Sequence, residues 1–259
     1  MRNMFLEECR VLENKRVGNG YQLLKVKTKK SQNEAKAGQF YMLKCKNEIM
    51  VLKRPISLHY VDRERGVLEF YFEVKGKGTK EFESLAVGEY LNLQGPLGNG
   101  FTINPQGEEV MVIGGGMGNA PIKLLIEELK ANGKRVTYIA GGRNYEALNI
   151  LENFDLNEVK NYITTDDGSK GERGTVIDVM KRLVNEKKYD AVFTCGPQKM
   201  MDAVAKVAEE KDIFCEVSLE EKMACGVKAC VGCSIKTLEG MRKVCHDGPV
   251  FNSRIIVSE

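Results

Sequence analysis

The sequence predicts a β plus α/β protein in three parts: an all-β N-terminal stretch, a mostly parallel α/β unit, and a short C-terminal segment organised by a metal centre. Three observations carry this. Early in the chain, short runs rich in Val, Ile, Tyr and Phe are broken by Gly, Asn and Lys turns. After Phe101, strand-like and helix-like runs alternate. Four of the eight cysteines crowd between Cys225 and Cys245. The expected divisions are 1–102, 103–212 and 213–259.

In the first part, residues 21–26, 40–45, 54–61, 66–74 and 89–94 read as strands. Their spacing suits a small sandwich or barrel, with a short helix over 81–85. In the second, strand 110–113 leads through a glycine loop into a helix over 120–132. Strands at 135–140, 161–164 and 189–194 then alternate with helices at 175–184 and 199–211. Such alternation implies a parallel sheet covered on both faces, which binds nucleotides at the carboxyl ends of its strands. The last part, from Ile213, has few apolar stretches. A segment of that size rarely stabilises itself by its core alone, and a metal would supply the difference.

Composition excludes several classes. Hydrophobic content of 42% and charged content of 29% are those of an ordinary folded chain. A net charge of +3, with acids and bases interleaved, is too weak to point to nucleic acid. No run approaches the roughly 18 apolar residues that cross a bilayer. The start carries Glu7 and Glu8 and lacks a long apolar core, so the expectation is a cytoplasmic chain with reduced thiols. Isolated Cys9, Cys45, Cys195 and Cys215 then read as buried small hydrophobes. The clustered four read as metal ligands.

Their spacing is Cys225-x4-Cys230-x2-Cys233-x11-Cys245. Three close thiolates with a fourth from downstream match the arrangement that holds a [2Fe–2S] cluster. A structural zinc site is the alternative, but zinc ribbons favour two C-x2-C pairs and only Cys230 and Cys233 form one. Gly226, Ala229 and Gly232 let the backbone wrap closely and aim amides at sulfur. Lys228, Lys236, Arg242 and Lys243 surround the cluster against Glu239, a field that eases electron addition or simply a solvated surface.

Arg54-Pro55-Ile56-Ser57 sits at a strand end, where an Arg can fork onto a pyrophosphate and a Ser can bond a flavin ring edge. Gly76-Lys77-Gly78-Thr79 follows Tyr71-Phe72-Glu73-Val74 and makes a phosphate cradle or a simple turn. Gly95-Pro96-Leu97-Gly98 marks the exit of the β part. Gly114-Gly115-Gly116-Met117-Gly118, between strand and helix, lets a dinucleotide approach a helix N-terminus. It departs from G-x-G-x-x-G because Asn119 stands at the third glycine position. The next strand ends Gly141-Gly142-Arg143, without an acidic residue, so a Rossmann fold proper is not expected. His59 and His246, the only histidines, have no nucleophile beside them and read as structural or exposed.

In this order, RPIS, GKGT, GPLG, GGGMGNAP, TCGP and the cysteine cluster resemble the ferredoxin–NADP reductase superfamily. The closing EEKMACGVKACVGC and KVCHDGPVF are similar to the electron-transfer subunits of type B dihydroorotate dehydrogenases. The resemblance covers nearly the whole chain. It implies an N-terminal antiparallel β-barrel that holds FAD through Arg54, Pro55, Ile56, Ser57, Tyr71, Phe72, Glu73, Gly78 and Thr79. It implies an NAD site at Gly114, Gly115, Gly116, Gly118, Cys195 and Gly196, and a [2Fe–2S] cluster on Cys225, Cys230, Cys233 and Cys245. Many reductases place an aromatic residue just before this Ser. Ile56 stands there instead, which argues against a plant-type ferredoxin reductase.

The implied partner is an FMN-containing catalytic subunit, two of each forming a heterotetramer. It would oxidise dihydroorotate for pyrimidine synthesis and pass electrons through the cluster and FAD to NAD. This chain shows no acid–base machinery for the dihydroorotate step. Small subunits of ferredoxin–NADP transhydrogenases and sulfide dehydrogenases share the FAD and nucleotide segments and form the alternative.

Overall fold

The computed structural model describes residues 3–46 and 49–257. Six strands close into an antiparallel barrel: β1 (Phe5–Val17), β2 (Tyr21–Lys27), β3 (Phe40–Lys44), β4 (Arg54–Asp62), β5 (Val67–Glu73) and β6 (Tyr90–Leu97). The resemblance therefore selects correctly between sandwich and barrel. The expected short helix forms four residues earlier, as α1 (Lys77–Glu83). Its start is fixed by the Thr79 hydroxyl, which accepts from the Gly76 amide at 3.1 Å.

Strand β1 escapes the sequence reading because Glu7, Glu8, Arg10, Glu13 and Arg16 mask its alternation. Its first half pairs with β6 and its second with β2, with a register shift between Val11 and Glu13. One long strand thus closes the barrel and leaves no free sheet edge. Leu24, Tyr41, Leu43, Leu58, Leu68 and Phe70 fill the interior.

The second sheet contains β7 (Glu109–Gly115), β8 (Arg135–Gly142), β9 (Lys160–Thr165), β10 (Glu172–Arg173), β11 (Ala191–Cys195), β12 (Phe214–Ser218) and β15 (Val250–Asn252). Their order is β10-β9-β8-β7-β11-β12-β15, parallel except where β15 runs against β12. Helices α2 (Ile122–Ala131), α3 (Val176–Glu186) and α4 (Gln198–Glu210) cover it. Helix α3 begins at a capping box in which the Thr175 amide donates to Asp178 at 2.9 Å. Strands from both sides of residue 213 share this sheet: β12 pairs with β11, and β15 returns from the far end of the chain.

What remains of the C-terminal part is a loop, the hairpin β13 (Ser234–Thr237) and β14 (Gly240–Lys243), and the single turn α5 (Val244–Asp247). Among the described residues, no helix is long and apolar enough to cross a membrane.

Candidate functional site

Three groups of residues make up the candidate site. In the barrel, Arg54, Pro55, Ile56 and Ser57 open β4, with Ser57 exposed and the others half-buried. Strand β5 supplies Tyr71 and Phe72, both buried, and Glu73, whose carboxylate pairs with Lys75 at 2.9 Å. Tyr71 stacks on Tyr21 at 5.8 Å. The two predicted phosphate elements meet: a Cβ at Gly78 would lie 3.0 Å from the Arg54 guanidinium carbon. A glycine cradle closed by a guanidinium fits a pyrophosphate, and hence FAD. The Thr79 hydroxyl shapes this turn, accepting from the Lys75 and Gly76 amides at 3.0 and 3.1 Å.

The nucleotide pieces also converge, at the switch point between β7 and β11 where the strand order reverses. Gly114 and Cys195 are register partners. A Cβ at Gly118 would lie 2.5 Å from the Gly196 Cα, and one at Gly196 would lie 3.1 Å from the Gly115 Cα. The two loops touch backbone to backbone, which only glycines allow. Gly116, at φ +52°, faces open space. This close, side-chain-free crevice fits a dinucleotide approaching the sheet. Burial pushes the Cys195 thiol up to about 12, so it is protonated. Asn119, which spoils the Rossmann pattern, is a latch. Its Oδ1 accepts from the Tyr138 hydroxyl at 2.5 Å and its Nδ2 donates to the Gly116 carbonyl at 2.9 Å.

The four clustered cysteines lie within reach of one another: Cys230 acts on Cys225, and Cys233 and Cys225 both act on Cys245. Among the described residues, no three His, Cys, Asp or Glu side chains converge on one ion-sized point. Four neighbouring thiols in a C-x4-C-x2-C…C spacing suit a binuclear iron–sulfur cluster better than a zinc ribbon, which favours two C-x2-C pairs. The Val227 and Cys230 amides point at the Cys225 sulfur at 3.5 and 3.4 Å. Burial raises Cys225, but these donors, with the Ala229 amide, outweigh it and bring the thiol down to about 7. Burial raises Cys245 to about 11, against a Lys228 amide and with the Cys233 thiol. Cys233 and Cys245 are buried, whereas Val231 on the same loop is 73% exposed.

Two contacts seat this loop on the barrel. A Cβ at Gly226 would lie 2.7 Å from Met42 Cγ and 3.2 Å from Leu97 Cδ1. Met42, on β3, is the cross-strand partner of Pro55. The barrel exit also clasps the cluster tail: the Asn99 amide side chain donates to the Asp247 carbonyl at 2.7 Å, and its backbone N–H to Gly248 O at 2.5 Å. The sequence reading missed Met42, Tyr138 and the role of Asn119. Asn119 carried a signal, as the one non-glycine in a glycine pattern. Met42 carried none, being one apolar residue in a strand. Cys9, Cys45 and Cys215 are buried, as expected of small hydrophobes.

A closed barrel with an arginine–glycine cradle, a parallel sheet with a glycine crevice, and a thiol cluster against the barrel define a pyridine-nucleotide flavin reductase equipped with an iron–sulfur segment. Family models match all three parts: an oxidoreductase FAD-binding domain over residues 8–101, an oxidoreductase NAD-binding domain over 112–206, and the iron–sulfur cluster binding domain of dihydroorotate dehydrogenase B over 220–257. A relative from Desulforamulus reducens, the electron transfer subunit of dihydroorotate dehydrogenase B (NAD(+)), is 40% identical over 86% of this chain and 87% of its own. The counterpart from Caldanaerobacter subterraneus is 36% identical over 94% and 95%. The chain belongs to this family of electron transfer subunits. Among solved structures, an NADH-dependent reduced ferredoxin–NADP oxidoreductase superposes with a TM-score of 0.87 at 26% identity, over 96% of this chain and 89% of that one. The ferredoxin reductase of carbazole 1,9a-dioxygenase, at 0.68 and 22% over 81% and 67%, shares the fold.

Proposed function

We propose that this chain is the electron-transfer subunit of an NAD-dependent dihydroorotate dehydrogenase, linking dihydroorotate oxidation on the FMN of a catalytic partner to reduction of NAD in pyrimidine synthesis. The transhydrogenase alternative is not favoured: the likeness to the ferredoxin–NADP oxidoreductase is 26% identical, against 36–40% for the dihydroorotate relatives. The observation that carries the reading is the seat of the cluster loop, Gly226 against Met42, whose cross-strand partner Pro55 belongs to the flavin strand. Electron carriers so arranged exchange electrons inside one chain.

In this reading Cys225, Cys230, Cys233 and Cys245 hold the cluster. Arg54 and Gly78 cradle the FAD pyrophosphate, with Pro55, Ile56, Ser57, Tyr71, Phe72, Glu73 and Thr79 shaping the rest of the flavin site. Gly114, Gly115, Gly116, Gly118, Cys195 and Gly196 admit NAD to the crevice. Bound flavin supplies the conversion between hydride and single electrons. The chain's own contribution is to fix both neighbours against it and to keep bulky side chains out of the approach. Functionally the chain divides into 1–102 for FAD, 103–212 for NAD and 213–259 for the cluster. The partner docks at the cluster loop, where exposed Val231, Leu238 and Met241 flank the buried ligands. Two chains and two partners form the complex, in a reducing cytoplasm that keeps the ligand thiols free.

The test uses the assembled complex with Cys230→Ser. Reduction of NAD by dihydroorotate is abolished while bound flavin remains reducible by NADH. Survival of dihydroorotate-driven NAD reduction with flavin bound and the cluster lost refutes the reading.

A further inference from the structure

We propose that His59 is a positioning residue: its Nδ1–H, donated across the barrel–sheet boundary to the Ala120 carbonyl, sets the spacing between the flavin strand and the nucleotide loop. The inference rests on the function proposed above and adds a residue to it.

His59 lies two residues beyond Ser57 on β4. The β4–β5 register shifts between Leu58, which faces Phe70, and Tyr60, which faces Glu69, leaving His59 outside the ladder. Such a bulge re-aims a side chain. Here it aims the imidazole out of the barrel, with Nδ1 at 2.7 Å from Ala120 O. Ala120 closes the turn that begins at Gly116 and carries the nucleotide glycines into α2. Tyr138 and Asn119 anchor that turn from within its own sheet. The ion pairs Lys123–Glu69 at 3.2 Å and Arg63–Glu128 at 2.7 Å join the barrel to α2 further along. His59 acts at the turn itself.

The ring is fully buried, between Tyr71 at 5.8 Å and Phe154 at 6.0 Å. Burial first, then the Lys123 charge, hold it neutral, bringing its pKa down to about 3. A neutral imidazole has one N–H, and a carbonyl partner assigns that proton to Nδ1. Among the described residues, Nε2 is then a buried acceptor with no hydrogen-bond partner. An apolar residue of similar size would avoid the cost of burying that lone pair. What the imidazole adds, and a Leu or Phe would not, is the donor to Ala120.

A size-matched pair separates the donor from the packing. In His59→Asn the amide nitrogen takes the place of Nδ1; His59→Leu fills similar space with no donor. Both are prepared as FAD-replete holoprotein and mixed with NADH in a stopped-flow spectrometer. The readouts are the limiting rate of flavin reduction, the NADH dissociation constant, the long-wavelength nicotinamide–flavin charge-transfer absorbance and the thermal midpoint. A misplacement on the order of 1 Å lowers the limiting rate of His59→Leu about tenfold or more, weakens the charge-transfer band, and leaves the dissociation constant within about threefold. His59→Asn stays within about threefold of wild type in rate and regains the band. Equal rates for Leu and wild type overturn the inference, as does an Asn variant as slow as Leu. So does failure of both variants to retain FAD or fold, which would make the residue structural. A wild-type flavin that NADH does not reduce sinks the proposed function instead.

Discussion

Replacing Gly226 by Ala loosens the grip of the cluster loop on the barrel, by an amount the packing sets. Gly226 has φ +70°, a conformation that costs a non-glycine residue about 1–2 kcal/mol. Its new Cβ would lie 2.7 Å from Met42 Cγ and 3.1 Å from Met42 Sδ. Met42 is fully buried and has nowhere to go, so overpacking adds about 1–3 kcal/mol. Together these disfavour the seated loop by about 2–5 kcal/mol, and even the lower figure raises the unseated population about 30-fold. Gly232 is the control. A Cβ there meets nothing nearer than 3.9 Å, which limits Gly232→Ala to about 0.5 kcal/mol, roughly twofold. The assay is bleaching of the cluster's visible absorbance by a chelator. When opening and reseating are fast, the bleaching rate follows the open population. Equal bleaching by the two variants would refute the argument that the loop is seated through Gly226.

Gly78→Ala pushes against the Arg54 guanidinium, which lies 3.0 Å from the new Cβ, and weakens FAD binding about tenfold. Equilibrium dialysis of the apoprotein with FAD measures it, and unchanged affinity separates Arg54 from the pyrophosphate. Glu216 tests the linker between barrel and sheet. Its carboxylate accepts from the Thr102 amide at 2.8 Å and hydroxyl at 2.7 Å, yet burial still raises its pKa above 4.5. A raised acid binds its proton more tightly folded than unfolded, so its contribution is fully present below pH 4.5 and is lost as pH rises through the folded pKa. Glu216→Gln removes that part of the pH profile, and urea midpoints measured from pH 4 to 8 against wild type check the sign.

The cysteine cluster and both glycine loops stand out in the sequence because the chemistry expected of them needs particular residue types at short spacing. Three thiolates can wrap round one side of two irons only if the chain between them is short and small, as it is from Cys225 through Cys233, with Cys245 brought in from downstream. The glycines at 114–118 announce a close approach for the same local reason. The helices were legible within one or two residues where periodicity and caps agree, as at Thr175. Strand β1 was not, because residues exposed on a barrel surface carry any charge, and that strand is defined by its two neighbours rather than by its own pattern.

By itself, then, the sequence determined which chemistries the chain carries and their order: flavin cradle, nucleotide crevice, thiol cluster. Only the tertiary structure decided how they are joined. Gly226 against Met42, Arg54 against Gly78, Asn119 beneath Tyr138 and His59 against Ala120 all pair positions remote in the chain. No local pattern encodes such contacts, because each depends on shape complementarity and burial, which exist only after the barrel and the sheet have closed around them.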